Sequence, residues 1–214
     1  MLLNLLTLQP ICTRGGVWLH SVSGVSHALY SCTKPFGRTK PGGYYDWYDN
    51  PEAIEKSTKV ADKLAWRANG ENKFLRMIHA NMEIRAPRYW WSHFDTYKIG
   101  TAAQSESTMH SLSKQFMIWD TDCEIGTRKE AVNLFNTLLE EKADITVLKS
   151  NLPEGFLQSR VVSISYASLQ TMWYQRHTQE RLDWWKVFLN IFPQFPYHQW
   201  LYKDDNSMQN RFRV

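Results

Sequence analysis

The chain has 214 residues, 43% of them hydrophobic and 14% aromatic, with 25 basic and 21 acidic side chains and a formal charge of +4. That is the size and composition of one folded domain, neither disordered nor fibrous. The basic residues are scattered rather than blocked, which suits a small anionic ligand as well as a polymer. Cys12, Cys32 and Cys123 are too irregular for a disulfide framework, so a reducing, cytoplasmic setting is expected.

The opening "MLLNLLTLQPICTRGG" is apolar but broken by Asn4 and Gln9. It lacks a basic flank and a small-residue cleavage site, so residues 1–16 read as a first strand or a loose extension, not an export signal. No stretch approaches the roughly 20 apolar residues that span a membrane. "GVWLHSVSG" reads as a strand, and residues 31–50, with prolines, glycines and basic groups between aromatics, as a loop. Asn50, Pro51 and Glu52 open a helix over 51–69, with Ile54, Val60, Ala61, Leu64 and Ala65 on one face and Gly70 at its end.

Over 74–84, Ile78, Ala80, Met82 and Ile84 alternate with His79, Asn81 and Glu83, the pattern of a half-buried strand. Pro87 opens a short helix through "RYWWSHFDTY", and Gly100 makes a turn. Thr127 and Glu130 form a capping box before a helix whose buried stripe is Ala131, Leu134, Phe135, Leu138 and Leu139. "NLPEGF" breaks the pattern. "RVVSISYA" is then a strand, and "SLQTMWYQR" and "RLDWWKVFLNIF" are helices stopped by Pro193 and Pro196. Strands and helices mix without strict alternation, which predicts an α+β fold in a single domain, residues 1–214.

Short signatures for dinucleotide, nucleoside triphosphate, zinc-protease and serine-hydrolase chemistry are absent, and His93, His110 and Cys123 have no zinc-ligand spacing. The tryptophans fit a packed core. Trp90, Trp91, Trp184 and Trp185 beside basic residues would otherwise make a stacking platform for single-stranded nucleic acid, a partner that the lack of a Lys/Arg block argues against. "SESTMH" offers donors at Ser105, Ser107, Thr108 and His110 beside one acceptor, Glu106. That set suits a phosphate with a sugar hydroxyl or base N–H, and equally a helix N-cap at Ser105 or Ser107.

The order of these residues resembles the flavin-dependent thymidylate synthases (ThyX). Their signature has the form RHRxxSxNExSxR, preceded by Arg-Gln-Trp and followed later by Leu-Pro, a strand and a helix ending in Leu-Arg. "RYWWSHF" is similar to the lead-in, with Arg88 and Trp90 kept, Tyr89 in place of glutamine and His93 at the signature histidine. "ESTMH" matches the signature's end through Glu106, Thr108 and His110. Lys149, four residues before Pro153, falls where the family has an arginine, and Arg176 matches a later one. The resemblance covers residues from about 74 to 192.

The resemblance implies a ThyX-like fold with a mostly antiparallel sheet, a homotetramer that builds each site across subunits, and methylation of dUMP or a close relative. FAD would be the cofactor, with NADPH and methylenetetrahydrofolate as co-substrates. Lys149, His110 and Thr108 would hold the 5′-phosphate, with Tyr89 and Glu106 completing the nucleotide site. Arg176 would stabilise the anion developing on the uracil ring. Ser92, His93, Phe94, Ser165 and Thr171 would lie along the flavin. The departures cluster on that flavin side: the arginines flanking the signature histidine become Ser92 and Phe94, and later Asn, Arg and Asn become Ser165, Ala167 and Thr171. Each lost charge-assisted bond is worth roughly 1.5–3 kcal/mol. A nucleotide-binding or regulatory protein that has lost flavin is therefore the competing expectation.

Overall fold

A computed structural model describes residues 14–37, 43–67, 70–178 and 181–203. Most of the stretch read as a first strand or extension, residues 1–13, lies outside them. Four strands, β1 (Gly16–Ser23), β2 (His79–Pro87), β3 (Thr101–Ser105) and β4 (Leu157–Ser165), form one sheet in the order β1-β2-β4-β3. Every neighbouring pair is antiparallel. The helices are α1 (Val25–Ser31), α2 (Gly43–Tyr48), α3 (Pro51–Leu64), α4 (Arg88–Phe94), α5 (Thr108–Ser111), α6 (Trp119–Asp122), α7 (Lys129–Glu140), α8 (Ile145–Ser150), α9 (Tyr166–Arg176) and α10 (Asp183–Leu189). The expected α+β class is what the chain forms.

The period-2 pattern places the sheet. Ala80, Met82 and Ile84 on β2 and Val162 and Ile164 on β4 are buried, while Asn81, Glu83 and Ser163 occupy the other, half-exposed face. The buried face joins a core of aromatic rings from α4 and α10, including Trp90, Trp91, Trp184, Trp185 and Phe188. Those four tryptophans are at most 1% exposed, so they present no stacking surface to nucleic acid. A second, smaller cluster gathers Leu112, Met117, Cys123, Val132, Phe135, Leu148 and Leu152. Among the described residues no helix is long and apolar enough to cross a membrane.

Several element boundaries differ from the sequence expectations. The segment 31–50 holds α2, because Trp47 is buried and donates its indole N–H to Ser57 Oγ at 2.8 Å. Asn50 accepts from the Ala53 N–H and starts α3, which ends at Leu64 and not near residue 69. Residues 71–77 are 3-10 helix, so β2 begins at His79. Arg128, not Thr127, is the N-cap of α7: the Thr127 side chain packs against Gly155, whose missing Cβ leaves it room. Val132 and Phe135 carry the buried stripe, and Leu134 is 52% exposed.

Candidate functional site

Between α4 and β3 the chain turns at Gly100, which has φ +69° and an approach to Ser165 so close that a Cβ there would lie 2.5 Å from Ser165 Oγ. Ser165 N–H donates to Gly100 O at 2.7 Å, pinning this turn to the end of β4. The Ser165 side chain then caps α9, accepting from Ser168 N–H at 3.2 Å. Beside this junction lies a cleft of about 530 Å³.

Its walls carry three cation-capable groups, Arg76, His79 and Lys98, and no carboxylate. None of the three forms an ion pair among the described residues. The N-terminus of α9, through Ala167 and Ser168, opens onto the same space, and its dipole adds positive potential. The hydroxyls contribute less than their number suggests. Ser168 Oγ donates to Ile99 O at 2.5 Å and Thr171 Oγ1 to Ala167 O at 3.0 Å. With the Ser168 proton committed there, the 2.9 Å contact between the two serine hydroxyls is donated by Ser165. An anion in the cleft would draw its donors from Arg76, His79, Lys98 and backbone N–H groups. A second recess of about 380 Å³, walled in part by Trp66, Asn72 and Tyr174, adjoins the cleft at Thr171, so the groove could take an elongated ligand.

The "SESTMH" segment follows β3. Glu106 N–H donates to Ser159 O at 2.9 Å and extends the β3–β4 pairing, while its exposed carboxylate accepts from Ser159 N–H at 3.4 Å. Ser107 is the N-cap position of α5, but its side chain makes no capping bond. Lys149, in the last turn of α8, brings Nζ to 3.4 Å from Met109 Sδ, so it meets the segment that carries Thr108 and His110. The recess beside Glu106 and Arg85 is only about 60 Å³, enough for a few waters and too small for a nucleotide.

Arg176, at the end of α9, touches the cleft-wall residue Tyr97 and the buried Trp185. Nε donates to the Tyr97 hydroxyl at 2.8 Å, and the guanidinium lies 4.9 Å from the Trp185 ring centroid. The structure thus joins Lys149 to the Glu106–His110 segment, while Arg176 touches Tyr97 of the cleft wall without itself lining the cleft. Tyr89 is packed elsewhere: its N–H donates to Glu154 O at 3.2 Å. Burial, with Glu124 and Asp183 nearby, pushes its phenol up to about 12.

Of the residues expected along the flavin, Ser165 and Thr171 line the cleft and Ser92, His93 and Phe94 do not. Phe94 is 1% exposed, 5.1 Å from Trp90 between ring centroids, and offers no surface to a ligand; it is a core residue. Ser92 and His93 are exposed on α4, with the Ser92 hydroxyl turned to Arg88 O. The cleft uses the next turn of chain, Thr96, Tyr97 and Lys98, together with Arg76 and His79. The available signal was His79 on the polar side of its strand and an unmatched lysine beside a glycine turn.

No family model matches this sequence, and no curated protein does. The fold has solved counterparts. It matches the flavin-dependent thymidylate synthase ThyX of Helicobacter pylori complexed with FAD and dUMP, with a TM-score of 0.72 and 14% identity over 88% of this chain and 98% of that one. A second structure of that protein with FAD and dUMP gives 0.70 and 15% over 88% and 97%. The chain has a ThyX-like fold.

Proposed function

We propose that this chain is a flavin-dependent methyltransferase of the thymidylate synthase kind, converting dUMP to dTMP or carrying out a close relative of that reaction in the cytoplasm. The observation that carries the proposal is a cleft in a ThyX-like fold ringed by Arg76, His79 and Lys98, with no carboxylate to neutralise them. These groups and the α9 N-terminus would hold the diphosphate of FAD, replacing the arginines that the resemblance expects at Ser92, Phe94 and Ala167. When bound, the flavin would supply transfer of methylene from methylenetetrahydrofolate and then hydride, with NADPH as the source of electrons. Thr108, His110 and Lys149 would bind the 5′-phosphate, Glu106 would accept from a sugar hydroxyl or base N–H, and Arg176 would donate to the charge developing on the pyrimidine. Because the recess at Glu106 is so small, a neighbouring copy in a homotetramer would complete the nucleotide site.

Titration with FAD, followed by quenching of flavin fluorescence, tests this reading. Arg76→Ala and Lys98→Ala are each expected to weaken binding about tenfold or more, the worth of a hydrogen bond to a charged group. A wild-type protein that leaves flavin fluorescence unquenched would remove the synthase reading.

A second reading is favoured by the inward-turned hydroxyls of Ser168 and Thr171 and the burial of Phe94: a nucleotide-binding protein without flavin. In that case dUMP raises the melting temperature while FAD leaves it unchanged. Stabilisation by FAD alone counts against it.

A further inference from the structure

We propose that Tyr97 is a positioning residue for Arg176, setting the guanidinium toward the pyrimidine base; this rests on the nucleotide-binding reading of Arg176 given above. Tyr97 comes from the turn after α4, far from Arg176 in sequence, and it stands where the cleft wall meets the end of α9. Its hydroxyl has one proton, donated to Gln175 Oε1 at 2.7 Å. The phenolic oxygen is therefore left as an acceptor, and it receives Arg176 Nε at 2.8 Å.

Two of its contacts bear on the orientation of the Arg176 guanidinium. The Nε bond sets the rotation of the guanidinium plane, and the Trp185 ring, with its centroid 4.9 Å from the guanidinium carbon, sets its position. Trp185 is fully buried, and Tyr97 meets it edge-on at 5.9 Å, so the support is itself rigid. Orientation matters for the assigned role because a guanidinium discriminates a planar carbonyl edge only when held in that plane. Lysine could supply the charge but neither the fork nor the Nε bond.

The test compares dUMP with deoxyribose 5-phosphate, which has the same phosphate and no base, by calorimetric titration. Tyr97→Phe keeps the ring on Trp185 and removes only the hydroxyl. It is expected to weaken dUMP binding about tenfold and to leave deoxyribose 5-phosphate binding unchanged. In an Arg176→Lys background the same change should have no further effect, because the bond it removes is already gone. If Tyr97→Phe proves poorly folded, Gln175→Met loosens the phenol from the other side and should give the same selective loss. Wild-type protein that binds neither ligand sinks the nucleotide reading and this inference together. Wild-type binding of dUMP that Tyr97→Phe leaves intact, equal losses for both ligands, or additive losses with Arg176→Lys each overturn the role of Tyr97 alone.

Discussion

Trp90 is fully buried among Trp91, Phe94, Trp184, Trp185 and Phe188, with ring centroids 5.1 to 6.1 Å away. The second cluster, around Met117, Val132, Phe135 and Leu148, is drawn from a contiguous part of the chain that leaves Phe116, Ile118 and Leu134 more than half exposed. The first centre supports the cleft and Arg176, both of which are formed within one copy. The second neighbours the segment of Thr108, His110 and Lys149, and its Leu112, Met117 and Phe135 border the recess of about 60 Å³ with Glu106. These exposed apolar side chains and the open polar edge lie on the part of the chain that the proposed tetramer would cover. The contrast explains how the proposed cofactor groove can be complete in a single chain while the proposed nucleotide site is not.

The largest effect should come from the first centre. Trp90→Ala is expected to cost about 3–5 kcal/mol, and thus roughly 10 °C or more in melting temperature, measured by circular dichroism. Trp90→Phe should cost much less, since the indole N–H is buried without a partner and its removal strands no acceptor. Equal losses in the two variants would mean that the ring cluster is looser than its spacing implies.

Each centre also holds one buried thiol, which allows them to be compared by pH. Burial is the main cause that pushes Cys32 and Cys123 up from 9.0 to about 11; Asp122 adds to it at Cys123, against Arg14 and Arg85. A raised folded value means that stability is fully present below pH 9 and is lost as pH rises through 11, by on the order of 2–3 kcal/mol for each thiol. Melting temperatures between pH 8 and 11 should therefore fall less steeply in Cys32→Ala and Cys123→Ala than in the wild type. Tyr89, whose folded value is about 12, adds a slope above pH 10 that both variants keep. Parallel curves for all three proteins would show that the thiols are not the titrating groups.

Much of the sheet was legible because alternation reports burial directly: Ala80, Met82 and Ile84, and Val162 and Ile164 within the run "RVVSISYA", point to the buried side, while Val161 in that run faces outward at 49% exposure. α2 was hidden because the glycines and prolines of the loop signal lie next to its helical turn, and one buried ring, Trp47, decides the matter through a distant partner, Ser57. The site was harder still. Phe94 holds a motif position by order in the chain, but as the residue four after Trp90 it shares that ring's buried face. Ser165 resembles a ligand contact, and its side chain is a helix cap. Arg76, His79 and Lys98 lie in a 3-10 helix, at a strand start and in a turn, and only the antiparallel closure of the sheet brings them around one cleft.

The smallest effect sharpens the comparison most. Leu134 and Phe135 are neighbours on α7, one 52% exposed and the other 1%. Phe135→Ala should cost about 3 kcal/mol. Leu134→Ser, on the isolated chain, should stay within about 0.5 kcal/mol, the range of ordinary surface changes. If the open lobe is covered by another copy, as the proposed tetramer requires, Leu134→Ser will instead shift the oligomer distribution toward smaller species in sedimentation at low protein concentration, with each copy still folded. A variant with unchanged assembly and unchanged stability would place Leu134 on a free surface, and the cover would have to be sought over Phe116 and Ile118.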